Sequence, residues 1–397
     1  MKFRTIITIF CLMTAVGCMA QRRQLQEARL ILKGDKGYEQ AEQLMKKLLN
    51  DTTHLEYRDN PRIYDMWLQS VEKQYAQLNE KMYKKQQVDT TMLFDLTHRL
   101  FTIGECLDSI DMRPDKKGRV SLQYRKDNAA RLVTYRPNLF YGGAYYLRKD
   151  NPGKAFDFFE MYIDCARQPL FEDYDLMNND PRMGEAAYWA TFSGYRMNDP
   201  VLTLRYAKTA RKDTAKLENT LQLTAEAWLK LKDDSSYVAT LWDGFCRFPK
   251  SAYFFPRLLD SYTSKGNYEK ALTIADDALK TDSVSQLFLL AKSTMLLNLG
   301  RNDQSLACSD KLIALYPEAA DAYYNAGTAC LNMALKMDPR NQKKQIRKMY
   351  QKALPYMETY RKLAPQETRK WGDALYRIYF NLNMGKQFDE IDKILKK

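Results

Sequence analysis

Few residues in this chain are of a type and spacing that could do chemistry. Ser70-Val71-Glu72-Lys73 spells the SxxK of acyl-serine enzymes, but nothing like the accompanying SDN or KTG follows, so the match reads as chance. His54 and His98 are the only two histidines, too few for a His-based metal site or a multi-His catalytic centre. No GxSxG, Walker loop, HExxH or Rossmann fingerprint occurs. Carboxylates are plentiful, yet no loop-rich insert is large enough to build a cleft around a pair of them. These residues point away from an enzyme, and they imply no cofactor and no metal.

The cysteines divide into two groups. Cys106, Cys165, Cys246, Cys308 and Cys330 form no CxxC pair, several occupy apolar helical positions, and no required disulfide is expected. Cys18 has a different setting. Lys2 and Arg4 precede an apolar run from Ile6 to Gly17, which reads as a secretory signal over residues 1–20. Ala15-Val16-Gly17-Cys18 resembles a bacterial lipobox, in which Cys18 is lipidated and becomes the mature N-terminus. Cys18-Met19-Ala20 before Gln21 instead fits ordinary signal peptidase. Both alternatives export the chain, to the periplasm or to the outer membrane of a Gram-negative cell. No later segment is long enough to span a bilayer: Leu287 to Leu299 is interrupted by Lys292, Ser293 and Asn298. A lipid on Cys18 is thus the only membrane attachment expected.

Composition is that of a folded chain: 397 residues, 45% hydrophobic and 28% charged. The net charge of +13 would raise nucleic acid as a partner in a cytoplasmic protein, but export argues against that and no recognition motif for it appears. Anionic envelope polymers or an acidic partner surface fit better, against the plainer expectation of a basic soluble surface. Six cations, Lys336, Arg340, Lys343, Lys344, Arg347 and Lys348, face one acid, Asp338, within residues 336–348. That insertion is either a contact for an anionic surface or a solvated helix extension; the extension is preferred. Asp108-Ser109-Ile110, Asp213-Thr214-Ala215 and Asp282-Ser283-Val284 match an O-glycosylation acceptor pattern, but helix capping by Asp, Ser and Thr produces the same tripeptides and is preferred.

The elements that would carry any site repeat along the chain. Lys232, Gly266 and Gly300 fall 34 residues apart, as do Pro249, Ser283 and Pro317, and Trp228, Tyr262, Leu296 and Cys330. Leu221, Phe255, Leu289 and Tyr323 keep the same step, and so do Ala210, Gly244, Ala278 and Leu312. The phase then slips by 14 and resumes with Ala353, Met357, Tyr360, Pro365 and Trp371. Gly266-Asn267-Tyr268-Glu269-Lys270-Ala271 is the clearest turn, with a glycine suited to the left-handed end of a first helix and Ala271 and Ala278 small where helices cross. This pattern resembles the tetratricopeptide repeat, a helix–turn–helix unit. It implies an all-α fold, a right-handed superhelical solenoid closed by an amphipathic capping helix at Phe388 to Lys397.

Weaker copies lie upstream. Leu25 to Leu48 fits one, with a turn at Gly37; Leu139 to Tyr162 and Ala187 to Ala215 fit others. Pro61 to Lys85 and Thr90 to Asp111 look like a longer-helix pair, and Arg113 to Gly118 a loop. The organisation expected is a signal at 1–20, degenerate repeats at 21–167, a Pro-bounded acidic connector at 168–180 and a regular array at 181–397.

Members of the family use their first helices as a concave surface that grips peptides. The corresponding inward residues here are Phe140, Tyr188, Phe192, Tyr195, Arg196, Gln222, Glu226, Lys230, Tyr253 and Asp260. The clamp that chaperone-binding members use for a terminal carboxylate is absent, since Tyr188, Gln222 and Pro256 stand where a clamp lysine is needed. The resemblance implies an exported scaffold or adaptor for a protein or peptide partner, without catalysis. The alternative is an outer-membrane lipoprotein accessory for glycan binding, nutrient uptake or membrane-protein assembly.

Overall fold

A computed structural model describes residues 22–115 and 117–396. The signal segment, with Cys18 in it, lies outside the described residues. Among the described residues the secondary structure is helical with no strand, and no helix is long and apolar enough to cross a membrane. The chain falls into two units, Met1–Tyr237 and Val238–Lys397.

The first unit contains α1 (22–33), α2 (Tyr38–Leu49), α3 (Pro61–Tyr83), α4 (Thr90–Asp111), α5 (Arg125–Arg148), α6 (Pro152–Asp164), α7 (Leu176–Asn179), α8 (Met183–Arg196), α9 (Pro200–Arg205), α10 (Ala207–Ala210) and α11 (Leu217–Lys230). Helix α12 (Asp234–Arg247) runs across the division. The second unit continues with α13 (Phe254–Thr263), α14 (Tyr268–Thr281), α15 (Gln286–Asn298), α16 (Asn302–Leu315), α17 (Ala320–Leu335), α18 (Lys343–Leu363), α19 (Thr368–Leu382) and α20 (Gly385–Leu395). Within each unit successive helices pair as hairpins.

Seven helix-to-helix turns close alike. Lys85, Asp150, Asn198, Lys232, Gly266, Gly300 and Asn383 all take φ between 54° and 70°. The N–H of the residue after each donates to the carbonyl five residues back, at 2.9–3.1 Å. This is the Schellman closure, which satisfies orphan carbonyls at the end of the first helix. Asx caps follow at once in several cases: Asn151 accepts from Lys154 N, Asp199 from Val201 N and Leu202 N, and Asn267 from Lys270 N. Asn198, Lys232, Gly266 and Gly300 stand 34 apart, so the left-handed turn recurs also in the repeat that Ala210 marks in the sequence columns.

Small residues sit where helices cross. Ala271, Ala275 and Ala278 are fully buried, and the columns Leu221, Phe255, Leu289 and Ala210, Ala278, Leu312 lie in the interior. The insertion is absorbed as helix: α17 has 16 residues and α18 has 21, against 13 in α15 and 14 in α16. Residues 336–342 join them, and Ala353, Met357, Tyr360 and Trp371 are buried as the resumed phase requires. Helix α20 closes the series with Ile391 buried and Phe388 against Tyr376, ring centroids 4.5 Å apart.

Residues 168–180 interrupt the hairpin series but are firmly anchored. Leu170 and Phe171 are buried, and Arg136 of α5 reaches the segment's end. Its guanidinium donates to Asp180 Oδ2 (2.6 Å), to the Tyr162 carbonyl (2.9 Å) and to Cys165 Sγ (3.3 Å), over the Tyr162 ring at 3.8 Å. Tyr162 Oη donates to the same Asp180 oxygen at 2.7 Å. Burial raises the Asp180 carboxyl, but these hydrogen bonds outweigh it and hold the group below its ordinary value.

Candidate functional site

The residues that first suggested chemistry are committed to structure. Ser70 is buried and its hydroxyl donates to the Trp67 carbonyl at 2.6 Å, while the Lys73 ammonium lies over the Tyr38 ring at 5.4 Å. The five described cysteines are free thiols, each pushed up by burial, Cys165 to about 12, so none is activated as a thiolate. Among the described residues no group of three or more His, Cys, Asp or Glu could hold a metal ion.

The Asp-Ser/Thr tripeptides divide. Asp213 accepts from Ala215 N and Lys216 N as an N-cap, whereas Asp282, at the C-terminal end of α14, accepts from Val284 N in a turn and Ser285 caps α15. Asp108 does not cap. It sits inside α4, bonded twice to Arg125 at 2.7 and 2.8 Å, and Ser109 back-bonds to the Glu105 carbonyl. Capping therefore explains one of the three; the second is a turn at a helix end and the third a mid-helix ion pair.

The inward residues expected from the repeat columns meet different fates. Phe140 and Tyr188 are buried: Phe140 packs with Phe159 and Tyr162, and Tyr188 with Trp189 and Phe192. Their rings fill the interior, Phe140 against α6 and Tyr188 against its neighbours on α8. Arg196 reaches the surface but pairs with Asp150 at 2.7 Å. Lys230 donates to Asn198 Oδ1 at 2.6 Å and lies over the ring of the exposed Tyr195. Gln222 donates to Glu218 at 3.3 Å, and Phe192 and Glu226 are half-buried beside them. In the second unit Tyr253 is half-buried against Arg257, 3.9 Å from its ring, and Asp260 is exposed near the end of α13.

The same columns continue through the second unit to an open groove. Positions 222, 256, 290 and 324 form one series, 226, 260, 294 and 328 another, and 230, 264, 298 and 332 a third. Tyr324, Thr328 and Asn332 line one wall of a groove of about 330 Å³ between α17 and α19. Leu331 and Leu335 add apolar surface on that wall, with Leu335 63% exposed. Arg369, Lys370, Asp373, Ala374 and Arg377 of α19 form the other. Lys370 pairs with Glu367 at 3.0 Å; Arg369 and Arg377 are exposed and have no ion-pair partner among the described residues.

A second pocket, of about 470 Å³ in the first unit, differs in this respect. Its Lys216 is matched by Glu185 and Asp213 at 3.3 and 3.1 Å, and its Asp180 by Arg136. Of its cations only the exposed Lys212 lacks an ion-pair partner among the described residues, whereas the α17/α19 groove presents two such guanidinium groups.

No family model matches the chain, and no curated protein matches it. Among solved structures it is similar to the C-terminal part of a TPR repeat-containing protein from Cytophaga hutchinsonii (14% identity, TM-score 0.42, covering 64% of this chain and 93% of that one). It is also similar to a TPR repeats protein from Bacteroides fragilis (19% identity, TM-score 0.33, 65% and 98%) and to yeast Tom70 (12% identity, TM-score 0.35, 93% and 77%). Likenesses this distant say nothing of a ligand. The 34-residue spacing of left-handed turns, the small residues at the crossings and the paired helices are the chain's own, and they make its fold that of the tetratricopeptide repeat.

Proposed function

We propose that this chain is a non-catalytic scaffold that binds a segment of a protein partner on the face of its first helices. The observation that carries it is the α17/α19 groove, which joins exposed apolar surface to guanidinium groups left without partners. A preformed groove of this kind binds without ordering its own backbone, which keeps the entropic cost of association down. The apolar run led by Lys2 and Arg4 within residues 1–20 supports an exported location, in the periplasm or at the outer membrane. Intact mass and fractionation of the native protein test that part: a lipidated Cys18 or a start at Gln21 supports export, and an uncleaved cytoplasmic chain refutes it.

Site-specific photo-crosslinking tests the scaffold role. A crosslinker at Thr328, in the groove, is expected to trap the partner. One at Thr273, exposed on the second helix of its hairpin, is expected to trap nothing. Adducts from Thr273 alone, or equal adducts from both, would refute a first-helix binding face.

A further inference from the structure

The basic charge of the chain is concentrated in the sequence segment that supplies one wall of this groove. Residues 336–397 hold 16 Lys and Arg against 7 Asp and Glu, a net of +9 out of +13 for the whole chain. Within that region the groove wall on α19 is a patterned stripe. Arg369, Asp373 and Arg377 are each one helical turn apart, so their charges run plus, minus, plus along a single face. None of the three pairs with another residue among the described ones, although i,i+4 neighbours of opposite sign were within reach.

Resting on the scaffold function proposed above, we infer that the α17/α19 groove reads an extended acidic segment of a protein, with two carboxylates four residues apart and an apolar residue midway between them. The spacing follows from helix and strand geometry. Eight residues of helix separate Arg369 from Arg377, about 12 Å at 1.5 Å per residue. An extended chain covers that distance in about four residues, and residues i, i+2 and i+4 of it face the same way. The two end residues then meet Arg369 and Arg377, each of which can take a carboxylate with two parallel N–H donors. The middle residue faces Asp373, where a third acid would be repelled. It also meets Leu331, Leu335 and Ala374, which favour an uncharged apolar side chain. The Asp373 carboxylate therefore sets specificity by excluding uniformly acidic polymers.

The probe is a fluorescent pentapeptide, Asp-Ala-Leu-Ala-Asp with blocked ends, titrated by fluorescence polarisation against the whole chain. Its Lys-Ala-Leu-Ala-Lys counterpart is expected not to bind, and Asp-Ala-Asp-Ala-Asp to bind about five-fold more weakly, the equivalent of about 1 kcal/mol for one misplaced charge. R369Q/R377Q is expected to lose ten-fold or more and R369E/R377E all measurable binding. Both side chains are exposed, so helicity and unfolding midpoint serve as fold controls. In D373N the triply acidic peptide should gain while the first peptide stays within two-fold.

Several results would overturn the inference. These are affinity insensitive to R369Q/R377Q, no binding of the first peptide, or equal competition by polyphosphate, which would make the site a general polyanion surface. A Thr328 crosslink to a partner that survives R369E/R377E would leave the scaffold function standing and remove the acidic-segment recognition alone.

Discussion

The turn geometry makes a prediction with opposite signs at equivalent positions. Gly266 and Lys232 occupy the same place in consecutive repeats, at φ 70° and 58°, each followed by the same five-back hydrogen bond. A Cβ built on Gly266 meets nothing within 4 Å, so Gly266→Ala carries a conformational cost and no steric one. Holding an L-residue in the left-handed region costs about 1–2 kcal/mol. The smaller conformational freedom of unfolded Ala returns about 0.4–1 kcal/mol of that. Gly266→Ala should therefore destabilise by about 1 kcal/mol. Lys232→Gly runs the same balance backwards, relieving the left-handed lysine and stabilising by about 0.5–1 kcal/mol. Urea unfolding at constant m-value measures both. Because repeat arrays can open hairpin by hairpin, hydrogen exchange at the Asn267 amide should report the local effect, about five-fold faster in Gly266→Ala. If both variants lose stability, or if Gly266→Ala is neutral, the left-handed turn is not what sets the energy of these hairpins.

A different glycine gives a different cost. Gly194→Ala places a Cβ 2.5 Å from Thr203 N and 2.6 Å from the Leu202 carbonyl carbon, so α8 and the start of α9 must separate; about 3 kcal/mol is expected in the same urea assay. Asp180→Leu strands the buried Arg136 guanidinium and should cost about 3–5 kcal/mol, with R136M/D180L recovering much of it in a double-mutant cycle. Because the Asp180 carboxyl is held below its ordinary value of 3.8, its contribution is present above that pH and lost below it; Asp180→Asn should flatten the acid limb of the stability profile. Glu105 runs the other way. Burial and then the neighbouring Asp164 push it up to about 7 from 4.5, so the folded state holds a proton that the unfolded chain gives up, and stability falls as pH rises between those values. Glu105→Gln should remove that decline in thermal melts taken from pH 4.5 to 8.

The fold was legible wherever one residue type answers one physical need. Gly266 and Gly300 announced left-handed turns, and Ala271 and Ala278 announced close crossings. Asn198 and Asn383 adopt the same turn outside the columns read from sequence, and Lys232 by its column and not its type, since the five-back hydrogen bond imposes the conformation and each side chain tolerates it. Capping at Asp108 failed for a related reason: its partner Arg125 lies 17 residues away, on α5, and local pattern carries no trace of that pairing. The groove shows where column reasoning stops. Columns mark one flank of every first helix, and three of them lead on to Tyr324, Thr328 and Asn332. A groove between two helices, however, is lined by the trailing flank of one and the leading flank of the next. Counting on from Tyr324 through the slip reaches Gly372, which is buried, while Arg369, Asp373 and Arg377 stand on the other flank. Nor is there an equivalent stripe in the earlier first helices: the corresponding residues of α17 are Asp321, Asn325 and Ala329, and in α15 the exposed residues include Leu287 and Asn298 while Lys292 pairs with Asp276. Shared columns in a repeat array encode what every copy must do, which is pack. A ligand has to be told apart by what one copy has and its neighbours lack, and α19 with its charged stripe is such a copy.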